Sequence, residues 1–195
     1  MKNTALKRIF DFLEKEGNKI KPLKWKLLNN EQLTKYELIV NGYLDLSGLN
    51  ITSLPEQFYV RGDLYLNHSK IKSLPKGLKV GGSLDLDGCV NLTSLPEGLE
   101  VGGFLGIRYL EITHLPKNLK IGGNLSLNYS KIESLPEGLY VGGDLYLNHS
   151  KIKSLPKGLE IGCNLHITTT PLKKYTDEKL REMIKPGFIN GKIIR

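Results

Sequence analysis

Cysteine is scarce in this chain of 195 residues: there are two, Cys89 and Cys163, in different segments. A disulfide framework is therefore not expected, and a reducing compartment fits. No apolar run approaches the length of a membrane span, so no membrane partner is expected. The start, MKNTALKRIF, lacks the long apolar core of a signal peptide, which points to a cytoplasmic location. No glycine-rich stretch has phosphate-loop spacing, so no nucleotide cofactor is expected. Neither cysteine has an evident base beside it, as a nucleophile would need. Cys89 reads as a buried turn residue, and Cys163, standing where a glycine is usual, as the more exposed one. An enzyme is not expected.

The net charge of +8 would suggest nucleic acid if it were spread over the chain. It is not. Residues 1–41 hold nine Lys/Arg against five Asp/Glu, residues 42–172 twelve against twelve, and residues 173–195 seven against three. The excess of positive charge belongs to the two ends, and the middle is neutral.

What is abundant is repetition. The stretch Gly62–Leu78, GDLYLNHSKIKSLPKGL, occurs again letter for letter as Gly143–Leu159. Looser versions surround both copies. The leucine opening each L-x-L falls at Leu44, Leu64, Leu84, Leu105, Leu125, Leu145 and Leu165, and prolines at 55, 75, 96, 116, 136 and 156 keep the same beat. A fixed period near 20 residues over seven units is the mark of a solenoid. Leu64 and Leu66 alternate with Asp63, Tyr65 and Asn67, the pattern of a half-buried strand. Ile71, Leu74, Leu78 and Val80 would point inward from the return path, where Pro75 favours an extended turn over a helix. The pairs Gly81-Gly82, Gly102-Gly103, Gly122-Gly123 and Gly142-Gly143 stand before the strands, where a sharp turn invites positive φ. One such unit cannot bury its own apolar face, so the units must stack and share a core. Seven parallel strands would make one sheet roughly 30 Å long.

These residues resemble the leucine-rich repeat family, whose pattern appears as Leu84-x-Leu86-x-x-Cys89 and Leu64-x-Leu66-x-x-Ser69-x-Ile71. The resemblance covers about 42–172, and the short Leu-Pro unit looks like the bacterial effector and bacteriophage-encoded types. It implies an α/β-type solenoid with a seven-strand parallel concave sheet and little helix in the repeats. The usual asparagine position departs from the pattern, holding Leu49, Ser69, Cys89, Leu110, Ser130, Ser150 and Thr170. Hydroxyls and a thiol can bond the turn backbone there; Leu49 and Leu110 cannot. The V-G-G-x spacer is one residue longer than in the effector type.

Open ends would expose the core, so helical caps are expected at both ends, over 1–41 and 173–195. Leu6, Ile9, Phe10 and Leu13 lie on one face of a helix ending near Gly17. Trp25 to Leu27 and Tyr36 to Val40 read as strands. Thr176 reads as an N-cap, with Asp177 and Glu178 in the first turn and Pro186-Gly187 as the stop. Asn190-Gly191 is a two-residue hairpin signal in the tail.

The acidic residues carry the functional signal. Asp45, Asp63, Asp85, Asp87 and Asp144 all take outward positions on the strands, where none of the ten lysines of the array falls. They would repel phosphates but suit a protein partner with basic character. A paired-carboxylate hydrolase site at Asp63, Asp85 and Asp87 and a plain solvated surface are the competing readings. The repeat is most irregular at Phe104, Arg108 and Tyr109, next to Asp85 and Asp87. Asp63, Tyr65 and Asn67 on one side and Asp144, Tyr146 and Asn148 on the other would flank that centre. Tyrosine and arginine near an interface centre are the usual anchors of binding, although drift of one unit would also produce the irregularity. His68 and His149 lie about 19 Å apart at strand spacing, too far to share a metal, and His114 and His166 lack partners at ligand spacing.

The expectation is a non-enzymatic protein-binding module without cofactor. The layout also resembles repeat proteins encoded by bacteriophages, which implies an inhibitor of a host defence protein. The alternative is nucleic acid bound at the ends, through Lys7, Arg8, Lys15, Lys19, Lys21, Lys24 and Lys26, or through Lys173, Lys174, Arg181 and Lys185.

Overall fold

A computed structural model describes residues 21–195 together with Arg8. The chain winds into a β-solenoid of stacked turns with parallel strands and little helix. Each rung contributes two short strands. The first set is β1 Ile39–Val40, β3 Tyr59–Val60, β5 Lys79–Val80, β7 Glu100–Val101, β9 Lys120–Ile121, β11 Tyr140–Val141, β13 Glu160–Ile161 and β15 Phe188–Ile189. The second is β2 Leu44–Asp45, β4 Leu64–Tyr65, β6 Leu84–Asp85, β8 Leu105–Gly106, β10 Leu125–Ser126, β12 Leu145–Tyr146, β14 Leu165–His166 and β16 Ile193–Ile194. Each set forms an eight-stranded parallel sheet with its neighbours in rung order. In the second sheet Leu44 pairs with Leu64, Leu64 with Leu84, and so on to Leu165 with Ile193.

The expected single sheet of seven strands is thus corrected to two sheets of eight. The spacer before each leucine strand is itself a strand followed by a bend. In Lys79-Val80 the lysine is exposed and the valine buried, the alternation of a strand with one face in the core. The glycine pairs that follow do not take positive φ. Their need is contact. A Cβ on Gly81 would lie 2.2 Å from the Arg61 carbonyl oxygen, and one on Gly102, Gly122, Gly142 or Gly162 would lie 2.0–2.3 Å from the oxygen one rung earlier. In these five rungs a side chain would run into the rung before, whereas Arg61 and Asn190 take the same place in the second and last rungs.

The leucines fill the interior. Leu64, Leu66, Ile71, Leu78 and Val80 are all 2 % exposed or less, and the equivalent positions of the other rungs join them in one continuous core. The return path from Lys72 to Pro75 forms no helix, as the proline predicts. At the former asparagine position, Cys89 donates to the Leu66 carbonyl (3.0 Å) and Thr170 to the Ile167 carbonyl (2.8 Å). Ser130 and Ser150 are buried there without a hydrogen-bond partner for their hydroxyls.

The helical caps are also corrected. The expected helix around Leu6–Leu13 falls outside the described residues. Trp25 to Leu27 is not a strand but part of a short helix, α1 Leu23–Leu28, started by the fixed φ of Pro22 (−59°). Leu23 and Leu27 stand four residues apart on its inner face, and Leu27 is buried. Tyr36 to Leu38 is a turn that delivers the chain to β1. At the other end, α2 Asp177–Met183 does begin on Thr176, whose hydroxyl accepts from the Lys179 N–H. It lies within the last return path, where it buries Leu180 and Ile184. The tail then makes no hairpin. Phe188–Ile189 pairs in parallel with β13 and Ile193–Ile194 with β14, so Asn190-Gly191 stands where other rungs have their glycine pair. Arg181 covers this last edge, donating to the carbonyls of Ile189 and Gly191. Covering an open edge in this way prevents another strand from pairing with it.

Candidate interaction face

The outer face of the second sheet is laid out in columns one rung apart. Asp45, Tyr65, Asp85, Gly106, Ser126, Tyr146, His166 and Ile194 are successive partners in register, so they form its midline. The residues two before and two after each midline position make the flanking columns. All eleven residues singled out from the sequence lie on this face or on the turn beside it, but they do not have equal freedom.

Several are engaged by the fold. Asp63 Oδ1 accepts the Ser83 N–H at 2.7 Å, and Asp144 Oδ1 accepts the Asn164 N–H at 2.7 Å. Asn148 Oδ1 accepts the Thr168 N–H at 2.8 Å, while Asn67 Oδ1 accepts from the Ser47 hydroxyl. These side chains tie one rung to another, which explains why short acceptors recur at the same place in each unit. The tyrosines of the duplicated stretch turn back onto their own aspartates, Tyr65 onto Asp63 at 3.0 Å and Tyr146 onto Asp144 at 2.9 Å. The hydrogen bond to Asp63 holds the Tyr65 phenol above its ordinary pKa. For Tyr146 burial is the larger cause and Asp144 adds to it.

The two identical copies face different neighbours. Tyr65 lies between Asp45 and Asp85, whereas Tyr146 stacks on His166 with ring centres 4.3 Å apart. Burial alone would push the Asp144 carboxyl up. The Asn164 N–H, the Tyr146 hydroxyl and the His166 ring together bring it below its usual value.

At the irregular centre Arg108 pairs with Asp87. Its backbone N–H reaches Asp87 Oδ1 at 2.7 Å, and its Nε reaches Oδ2 at 2.6 Å. Asp87 is only 7 % exposed, so this forked clamp is what makes a carboxylate tolerable there. Asp85 is half-buried and accepts the Asp87 N–H at 3.0 Å. Burial raises its pKa, with the nearby Asp87 charge acting in the same direction. The ring of Phe104 lies across Gly106, where an added Cβ would meet it at 2.7 Å. Tyr109 is 57 % exposed and stacks on Tyr129, which stacks on His149. Tyr129 was not singled out in the sequence, and His149 was weighed there only as a metal ligand. Their signal was there: both stand four residues after a strand-opening leucine, as Tyr109 does.

The charge distribution separates the two sheets. On the first, Lys79 and Lys120 flank Glu100 at 3.0 and 3.7 Å, an alternation that cancels along the face. On the second, the first three rungs present Asp45, Asp63, Asp85 and Asp87, and Arg108 is the cation that meets them. No group of three His, Cys, Asp or Glu able to hold a metal occurs among the described residues, and no helix among them is long and apolar enough to cross a membrane. Compared with protein-family models, curated proteins and solved structures, the chain finds no match.

Proposed function

We propose that this chain is a non-enzymatic leucine-rich-repeat interaction protein that binds a basic protein partner through the outer face of its second sheet. The observation that carries the reading is the run of Asp45, Asp63 and Asp85 over three rungs, with the buried Asp87 compensated by Arg108. Acidic surface of this kind steers a basic partner and sets its register more than it sets raw affinity. The ring of Phe104, which covers Gly106, supplies an uncharged centre against which a partner would pack. The resemblance to bacteriophage-encoded repeat proteins extends the proposal to neutralising a host defence protein in the cytoplasm.

The test is capture from lysate by the full chain and by an Asp45→Lys/Asp85→Lys variant, with thermal unfolding of both. The reading expects a basic protein that the variant no longer retains although its fold is intact. Equal retention by both would refute it. The competing reading, nucleic acid at the basic ends, is weakened by what those side chains already hold. Lys26 pairs with Glu37, Lys21 with Glu31, and Arg181 is bonded to backbone carbonyls, while Lys7, Lys15 and Lys19 lie outside the described residues. Filter binding with DNA and RNA at two salt concentrations decides it, because phosphate contacts weaken steeply as salt rises.

A further inference from the structure

Beside the second sheet runs a column of turn residues: Gly48, His68, Gly88, Tyr109, Tyr129, His149 and Thr169. All have φ between 57° and 69°. A bulky side chain is uncommon in this left-handed region, and backbone strain of that sort gathers at functional positions. Five of the seven rungs nevertheless carry a side chain there. Three of them form a ladder of rings, with Tyr109 and Tyr129 at 5.2 Å and Tyr129 and His149 at 4.3 Å, nearly parallel in both cases. Thr169 ends it with a 2.9 Å contact from its hydroxyl to His149 Nδ1. In the other direction the ladder stops at Tyr109, because the next rung offers Gly88.

The duplicated stretch supplies an internal comparison. His149, in the second copy, stands in the ladder. His68, its twin in identical sequence, has glycine on both sides in the column. Its ring lies over Gly88, where a Cβ would come within 2.4 Å of its Nδ1. His68 therefore occupies the room that a side chain on rung three would take, while remaining exposed itself.

We infer that one neutral aromatic side chain of a protein partner displaces the His68 ring from the slot over Gly88, stacks on Tyr109 and completes the ladder. Two rung steps, about 9.6 Å, separate the His68 position from Tyr109. With His68 turned to the posture of His149, a ring placed midway would have the same spacing to each neighbour as the rings of the ladder have to one another. Offset stacking of this kind adds to the burial of the ring itself. Val90, two residues on, is 60 % exposed, and its N–H is bonded to the Gly88 carbonyl at 2.9 Å. Arg108, the charge next to Tyr109 in the chain, is paired with Asp87, so its charge is compensated beside the ring. The carboxylates on the adjoining face disfavour the phosphate that a nucleobase would bring. The slot deepens the proposed protein-binding role by naming one anchor of the partner, and it rests on that reading for the source of the ring.

The test is an NMR titration of the 15N-labelled chain with N-acetyl-tryptophanamide. Saturable shifts are expected at Gly88 and Tyr109, at millimolar probe. Tyr109→Ala should weaken them roughly tenfold, as loss of one stacking partner predicts. Gly88→His should abolish them by filling the slot from within; His68 and His149 show that the column accepts histidine at this backbone angle. Tyr140→Ala, on the first sheet, should leave them unchanged. No saturable shift at Gly88, unchanged binding by the Gly88→His variant, or tighter binding of adenosine monophosphate would each overturn the inference. A failure here leaves partner capture by the sheet standing. Loss of capture with tryptophanamide binding intact would count against the face and not the slot.

Discussion

Replacing Gly102 by alanine should be among the most damaging small changes this chain can suffer. The new Cβ would lie 2.1 Å from the Gly81 carbonyl oxygen, more than 1 Å inside the 3.4 Å at which ordinary contact begins. The obstacle is backbone, so no side-chain rotation relieves it. Rung four must move away from rung three, and the bonds Gly102 N–H to Val80 O and Gly103 N–H to Gly82 O, both 2.9 Å, join those two rungs. Losing one or two such bonds costs about 1 kcal/mol each, and forcing bulk into a packed site adds roughly 1–3 kcal/mol. The expected loss is about 2–5 kcal/mol, seen as a lower urea midpoint with circular dichroism as the probe. Gly42→Ala is the control. Nothing lies within 4 Å of a Cβ there and its φ is not positive, so the smaller entropy of the unfolded chain should stabilise it by about 0.5 kcal/mol. If Gly102→Ala unfolds within 1 kcal/mol of the wild type, close approach of the rungs is not why the glycines are there.

Other consequences follow from single contacts. Arg181→Ala removes two donors from the edge carbonyls of Ile189 and Gly191; it should lower stability by about 2 kcal/mol and favour end-to-end association, read by light scattering. Arg108→Ala leaves Asp87 buried without its guanidinium, and because Arg108 is half-exposed the expected loss in a urea titration is about 2 kcal/mol, below the full value for a buried pair. Glu37 bonds Lys26 at 2.6 Å and the Thr34 N–H at 2.9 Å, and these partners hold its pKa at about 2 against an ordinary 4.5. A lowered carboxyl pKa stabilises the fold above the ordinary value, and that contribution is lost as pH falls from 4.5 toward 2. Melting curves across that window should fall more steeply for the wild type than for Glu37→Gln. Asp85 has the opposite sign: burial raises its pKa, so its ionised form destabilises the fold. Asp85→Asn should melt higher than the wild type at neutral pH, and the difference should shrink as acid protonates the wild-type carboxyl.

The period of 20 residues placed the core leucines, the helix-free return path and the outward aspartates, because each is a matter of spacing along one rung. It did not reveal the first sheet, since Lys79-Val80 and its equivalents are too short to show alternation, and the glycines after them look like turn residues. Their true requirement, contact with the rung before, is a property of the stack and not of the unit. The eighth rung was hidden for a related reason. Between Leu165 and Ile193 the chain inserts α2, so the period breaks and Asn190-Gly191 resembles a hairpin. On the face, sequence supplied the columns but not which members are engaged. Asp63 and Asp87 look alike in the chain; both tie down the next rung's backbone, but Asp87 also clamps an arginine side chain. The identical copies make the same point, with His68 and His149 taking different postures because their neighbours differ.

Hydrogen–deuterium exchange on the complex with the protein captured from lysate tests the central claim most directly. The account predicts slowed exchange at the second-sheet strands from Leu44–Asp45 through Leu105–Gly106, with little change on the first sheet or at either end. Protection confined to the terminal segments, or to the return path around Lys72 and Lys153, would contradict it.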